Sequence, residues 1–163
     1  MMKKIVAAVA LSVLAATEFA GPTAYYAGVD VNSTKIDGLN DNKAGVGGFV
    51  GYGFNQWLAV ELGYRTLGTW NVYGTDIDVR QAHISVVGSY PITPGFDIYG
   101  RLGYNNLRGE TTYNRVTYGA GTSGGLYGVG VSYSFTPNVA VRLEVQKPAS
   151  DTTTYGVGVV FKF

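Results

Sequence analysis

The chain contains no cysteine, which excludes a disulfide framework, a thiolate nucleophile and any Cys-bearing metal site. Its one histidine is His83, so a multi-histidine metal centre is excluded as well. Charge is also scarce: Asp, Glu, Lys and Arg make up 14% of the 163 residues, against roughly 25% in ordinary globular chains. Few charges are therefore available to cover a water-facing surface. The near balance of 12 basic against 11 acidic residues leaves no basic patch for nucleic acid. Beyond the N-terminal segment no run of about 18 apolar residues occurs, so no helix of the mature chain is expected to span a bilayer.

What is present starts with Lys3 and Lys4, an apolar run over 5–16, and small residues after it. This is the build of a secretory signal peptide, and the run is too short to be a membrane span. Cleavage after Ala16 and cleavage after Ala20 both fit, with Leu14 or Glu18 at the minus-three place. The second divides the chain into a signal peptide, 1–20, and a barrel domain, 21–163. It removes Lys3, Lys4 and Glu18 and leaves 10 basic and 10 acidic residues, a formally neutral mature chain.

Glycine (24) and tyrosine (13) are abundant, and between turn residues the mature chain alternates with period two in eight segments. These lie near 23–32, 44–54, 57–67, 76–90, 96–106, 125–135, 139–147 and 153–163. In the third, Leu58, Val60, Leu62 and Tyr64 oppose Ala59, Glu61, Gly63 and Arg65. In the last, Tyr155, Val157, Val159, Phe161 and Phe163 oppose Thr154, Gly156, Gly158 and Lys162. Eight such strands predict an all-β, eight-stranded antiparallel up-and-down transmembrane β-barrel. The connections alternate between tight turns (55–56, 91–95, 136–138) and longer polar stretches (33–42, 68–75, 107–124), as expected for a barrel with turns in the periplasm and loops outside.

Alternation alone does not tell which face meets lipid, because a lipocalin-type barrel hides its apolar face inside. The non-greasy face here is rich in Gly and Ser, which suits a crowded bore better than a hydrated exterior. Aromatics also fall in two rings. Tyr25, Phe54, Tyr90, Phe96, Phe135 and Phe163 lie at the turn ends, and Tyr64, Tyr104, Tyr127 and Tyr155 lie toward the loops, as interfacial girdles require. The apolar stripe is therefore expected to face lipid.

The segment from Gly53 through Asn55, Gln56 and Trp57 to Tyr64, its echo from Phe96 to Tyr104, and the Phe-ended last strand together resemble the OmpA-like small outer-membrane β-barrels of Gram-negative bacteria. The resemblance implies an integral outer-membrane protein, exported through its signal peptide, with a structural or surface-interaction role and no enzymatic activity. It implies as partners the outer-membrane lipid and lipopolysaccharide, periplasmic chaperones and a barrel-assembly machinery that reads the terminal strand through Tyr155, Val159, Phe161 and Phe163. Host or phage contact would go through the loops, where Trp70, Tyr73, Tyr113 and Tyr118 stand. A monomer is expected. The chain stops with the eighth strand, so the peptidoglycan-binding domain that follows the barrel in full-length OmpA, and its wall-anchoring role, are not expected.

The bore-facing ionisable residues are Asp30, Glu61, Arg65, His83, Asp97, Arg101, Arg142, Glu144 and Lys162. Mixed signs in so narrow a space imply pairing, Glu61 or Glu144 with Arg101 or Arg142, because a buried lone charge is very costly. The network Glu61, Arg65, Asp97, Arg101, Arg142, Glu144 and Lys162 is expected to plug the interior. The alternative is a porin-like narrow channel gated by its rearrangement. A third alternative is a hydrolase. His83 and Ser85 share one strand face, where an imidazole could activate a hydroxyl, and they resemble the His-x-Ser of lipid A deacylases, although Val86 and Val87 stand where that family has Asn and Ala before the Gly matched by Gly88. Glu61 or Glu144 would orient such a pair. No cofactor or metal is expected. The glycine pattern at 119–124 leads into a strand rather than a helix, and Asp76 with Asp78 reads as solvated charge.

Overall fold

The eight alternating segments form eight antiparallel strands: β1 (Ala24–Ile36), β2 (Lys43–Gly53), β3 (Leu58–Val72), β4 (Thr75–Thr93), β5 (Phe96–Tyr113), β6 (Val116–Ser134), β7 (Val139–Ala149) and β8 (Thr152–Lys162). A computed structural model describes residues 24–38, 42–72, 75–113 and 116–163. Residues 1–20, expected as the signal peptide, with both cleavage candidates, lie outside them, as do the side chains of Trp70, Tyr73, Asp76, Tyr113 and Tyr118.

Each strand pairs with its sequence neighbours, and β8 returns to β1 to close the barrel. The closing register sets Val29 against Val159 and Val31 against Val157. It ends with the Phe163 N–H donating to the Tyr25 carbonyl at 2.9 Å. Closure removes the exposed edge that an apolar terminal strand would otherwise present.

The stripe of Val, Leu, Ile and Tyr points outward along every strand, and Leu102 is 71% exposed and Val129 64%. Such a continuous surface far exceeds the roughly 300–600 Å² apolar patch of a water-soluble monomer. Aromatic clusters mark its turn-side border, with Tyr25 4.9 Å from Tyr52, Trp57 5.7 Å from Tyr90 and Tyr133 4.9 Å from Phe135 between ring centres. Tyr64, Tyr104, Tyr127 and Tyr155 mark the loop-side border, all exposed. From Phe96 to Tyr104 a strand climbs about 20 Å at about 3.4 Å per residue and about 40° of tilt. With the rings added, that fits an apolar band about 25 Å tall.

The stretches 68–75 and 107–124, expected as long loops, are largely strand. β3 and β4 leave two residues between them, as do β5 and β6, and these four strands stand 15 to 19 residues long against 11 to 13 for the others. The glycine-rich 119–124 is paired with β5, Asn105 facing Gly124 and Glu110 facing Gly119. Beyond the outer girdle both faces of a strand meet water, so alternation fades while the hydrogen-bond ladder continues. The β7–β8 connection is also short, Ser150 and Asp151. The asymmetry of the barrel thus lies in strand height more than in loop length. On the opposite side the turn after β4 needs Gly95, whose φ of 81° suits no β-branched residue.

A closed ladder of this kind resists dodecyl sulfate until heated. Unboiled protein is expected to run at a different position from boiled protein on a denaturing gel, and coincident bands in both lanes would contradict closure.

Candidate functional site

Because successive side chains alternate, every second residue of β1, β3, β4, β5 and β7 is delivered to the bore. There Asp30, Arg65, Glu144, Arg101, Glu61 and Arg142 form one unbroken chain of alternating charge. Arg65 Nε lies 3.2 Å from Asp30, and its Nη2 lies 3.4 Å from Glu144. Arg101 Nη2 lies 3.1 Å from Glu144 and also pairs with Glu61. Arg142 Nη1 donates to Glu61 at 2.5 Å. Three cations meet three anions, so the chain is formally neutral.

Each central carboxylate has a further donor. Tyr26 Oη donates to Glu61 at 2.7 Å and Tyr99 Oη to Glu144 at 2.9 Å. Glu61 thereby accepts from two guanidiniums and a phenol, while Glu144 accepts from Arg65 and Tyr99 with Arg101 ion-paired beside it. This saturation is what a buried carboxylate needs to stay ionised, because lone pairs left without donors would cost more than the pairing returns. Glu61 is fully buried and Arg101 is 1% exposed. Arg142 sits between three rings, its Cζ 5.2 Å from the centre of Tyr26, 5.5 Å from Phe49 and 5.1 Å from Tyr99. A guanidinium is well suited to this place, since it stacks on aromatic faces while its edge donates. The void bounded by Asp30, Phe49, Arg65, Tyr99, Arg101, Arg142 and Glu144 is about 10 Å³, close to the smallest space that holds one water.

Above this layer, toward the loops, the bore turns from ions to amides and hydroxyls. Gln146 Nε2 donates to Gln81 at 3.1 Å, Asn105 Nδ2 to the Pro148 carbonyl at 2.8 Å, and Thr34 meets Thr154 at 3.0 Å. Asp97 and Lys162 face the bore nearer the turn side, and among the described residues none of the ion pairs reaches them. The network therefore gathers five of the seven residues expected in it and adds Asp30.

His83 and Ser85 share a face, as their spacing requires, yet Arg101 stands between them. Its Nη1 donates to His83 Nε2 at 2.8 Å and to Ser85 Oγ at 3.4 Å. Glu61 is engaged by Arg101, Arg142 and Tyr26 rather than by the imidazole. Both side chains are buried in the bore, away from the lipid-facing surface. On β8, Tyr155, Val159 and Phe161 line the outward face, and Phe163 closes the strand on Tyr25.

Sequence reasoning missed Tyr26, Phe49 and Tyr99 as site residues. A signal existed, since each is a bulky aromatic on a face otherwise small, and each lies directly across from a glycine. Tyr26 faces Gly51, Phe49 faces Gly28 and Tyr99 faces Gly130. A Cβ on any of these glycines would run into the ring opposite. Gly51→Val is therefore expected to cost about 1–3 kcal/mol by overpacking, read from denaturant unfolding in lipid vesicles. Adding Tyr26→Ala should cost less than the sum of the two single changes, and strict additivity would refute the contact.

A family model described as outer membrane protein beta-barrel domain matches residues 6–163. Among relatives, outer membrane protein A of Salmonella typhi is 33% identical over 99% of this chain, which spans 56% of that protein's length. Among solved structures, Neisserial surface protein A superposes with a TM-score of 0.71 at 16% identity, over 90% of this chain and all of that one. Ail of Yersinia pestis, solved with the heparin analogue sucrose octasulfate, superposes with a TM-score of 0.62 at 18% identity, over 86% of this chain and 97% of that one.

Proposed function

The chain belongs to the outer membrane protein beta-barrel family and resides in the bacterial outer membrane, and from that premise we propose that it is a non-enzymatic envelope protein with a plugged bore. In this reading the barrel contributes to envelope integrity, and its elevated loop-side ends make the surface contacts. The residues 1–20 are its export signal. Tyr155, Val159, Phe161 and Phe163 are the strand that the assembly machinery reads, and the barrel acts as a monomer in contact with outer-leaflet lipid.

The observation that carries the plug is the six-charge chain across the bore with room beside it for about one water. A hydrated ion has no path through a layer so filled, and opening it requires separating buried, hydrogen-bonded pairs. In planar bilayers the purified protein is expected to be electrically silent. Single-channel steps whose size or frequency changes on Glu144→Gln would overturn the plug in favour of a gated channel. The double engagement of Arg101 favours that second reading: it bonds both Glu61 and Glu144, so it can surrender one partner and keep the other. The hydrolase reading lacks support in the geometry, because Arg101 donates to both His83 and Ser85 and both side chains are buried in the bore.

A further inference from the structure

Arg80 on β4 and Arg108 on β5 are directly opposite one another in the register. By alternation from Ala82 and Ile84 on one strand and from Tyr104 and Asn106 on the other, both belong to the outward face. They lie one rung beyond the Ala82–Asn106 pair and two beyond the Ile84–Tyr104 pair, on the loop side of the aromatic girdle. That is the height at which lipid phosphates sit. Two cations in register on neighbouring strands repel each other. An anion that meets both guanidinium forks replaces that repulsion with two charge-assisted pairs.

Directly below them the lipid-facing surface is hollowed. The small residues Ala27, Gly48 and Ala82 interrupt the stripe on either side of Tyr64, and with Leu62 and Ile84 they line a groove of about 900 Å³. Its lining is mostly apolar, and its upper end, at Ala82 and the polar Asn106, opens beneath the two arginines. The opposite rim is different: among the described residues the turn-side end of the outer face carries no cation, since Lys162 points into the bore.

We propose that Arg80 and Arg108, with the groove beneath them, form a specific site for a phosphorylated, multiply acylated lipid of the outer leaflet. The phosphate bridges the two guanidiniums and an acyl chain fills the groove. A free phosphate ion matches the charge but has no use for the groove, so the combination selects a lipid. The site deepens the reading of this chain as an outer-membrane protein and rests on the orientation of the outer stripe, but it does not depend on whether the bore is plugged. Asp78 stands one rung further toward the loops on the same face, so the arginines also face an acidic neighbour within the protein.

The test is retention of defined lipids by the purified barrel in zwitterionic detergent, read by native mass spectrometry. Bisphosphorylated lipid A is expected to be retained at least tenfold more tightly than its dephosphorylated form. Arg80→Gln with Arg108→Gln should abolish that preference, and Ala82→Leu should weaken retention of both forms. Lys35→Gln, on β1, should change nothing. Equal retention of the two lipids would overturn the site. So would a loss of thermal stability in the arginine variant with the preference intact, which would make the pair a partner of Asp78 only. Inorganic phosphate displacing lipid A at equal concentration would overturn it in favour of a free-anion site. Current through the bore would refute the plug and leave this measurement untouched.

Discussion

Val29→Arg is expected to destabilise the barrel in a bilayer by about 2–4 kcal/mol, the cost of a cation on the lipid face at mid-depth. Val29 points outward and is 56% exposed. It lies midway between Tyr25 at the turn-side girdle and Ser33, which is paired with the outer-girdle Tyr155, and its own partner Val159 is midway between Tyr155 and Phe163. An arginine there must snorkel or draw water into the hydrocarbon, whereas Tyr25→Arg, at the interface, is expected to cost about 0–1 kcal/mol. Guanidinium unfolding in lipid vesicles reads both. Equal and negligible costs would mean that the stripe meets water at every height, and the membrane orientation would fall with it.

Glu61→Gln carries the largest expected effect, a loss of about 3–5 kcal/mol from breaking a buried ion pair on one side only. Glu61 holds Arg101, Arg142 and the Tyr26 hydroxyl together. Without its charge Arg101 keeps Glu144, but Arg142 loses the only anion it is paired with among the described residues and remains among three rings. Removing both members, as Glu61→Gln with Arg142→Gln, is expected to recover a large part of the loss. Two neutral amides of similar size need no counter-charge, and the coupling between the sites is then read directly from the double-mutant cycle. A double variant as unstable as the sum of the singles would show that the pair does not act as a unit.

The site is partly legible from residues alone. Which side chains enter the bore follows from parity along each strand, and parity is enough to name Glu61, Arg65, Arg101, Arg142 and Glu144. Their pairing is not legible in the same way. Glu61 reaches Arg101 and Arg142 from strands 40 and 81 residues away, and those meetings depend on the stagger between strands and the diameter of the closed ring. Asp97 and Lys162 pass the parity test as well as the others, yet sit on a different layer. The aromatic rings against Gly28, Gly51 and Gly130 need cross-strand register to be recognised. The height of β3 to β6 escapes because water on both faces erases the contrast that alternation records.

The strand count, the face of each residue, the lipid-facing stripe and its two girdles are legible from the residues alone, because one face meets hydrocarbon and the other does not, and that contrast is written at every second position. Which charges touch, how completely each carboxylate is satisfied, where the aromatic collar closes on Arg142 and how Arg80 and Arg108 come side by side emerge only in the folded barrel. Those are consequences of stagger and closure, geometric properties of eight strands taken together that no single strand encodes.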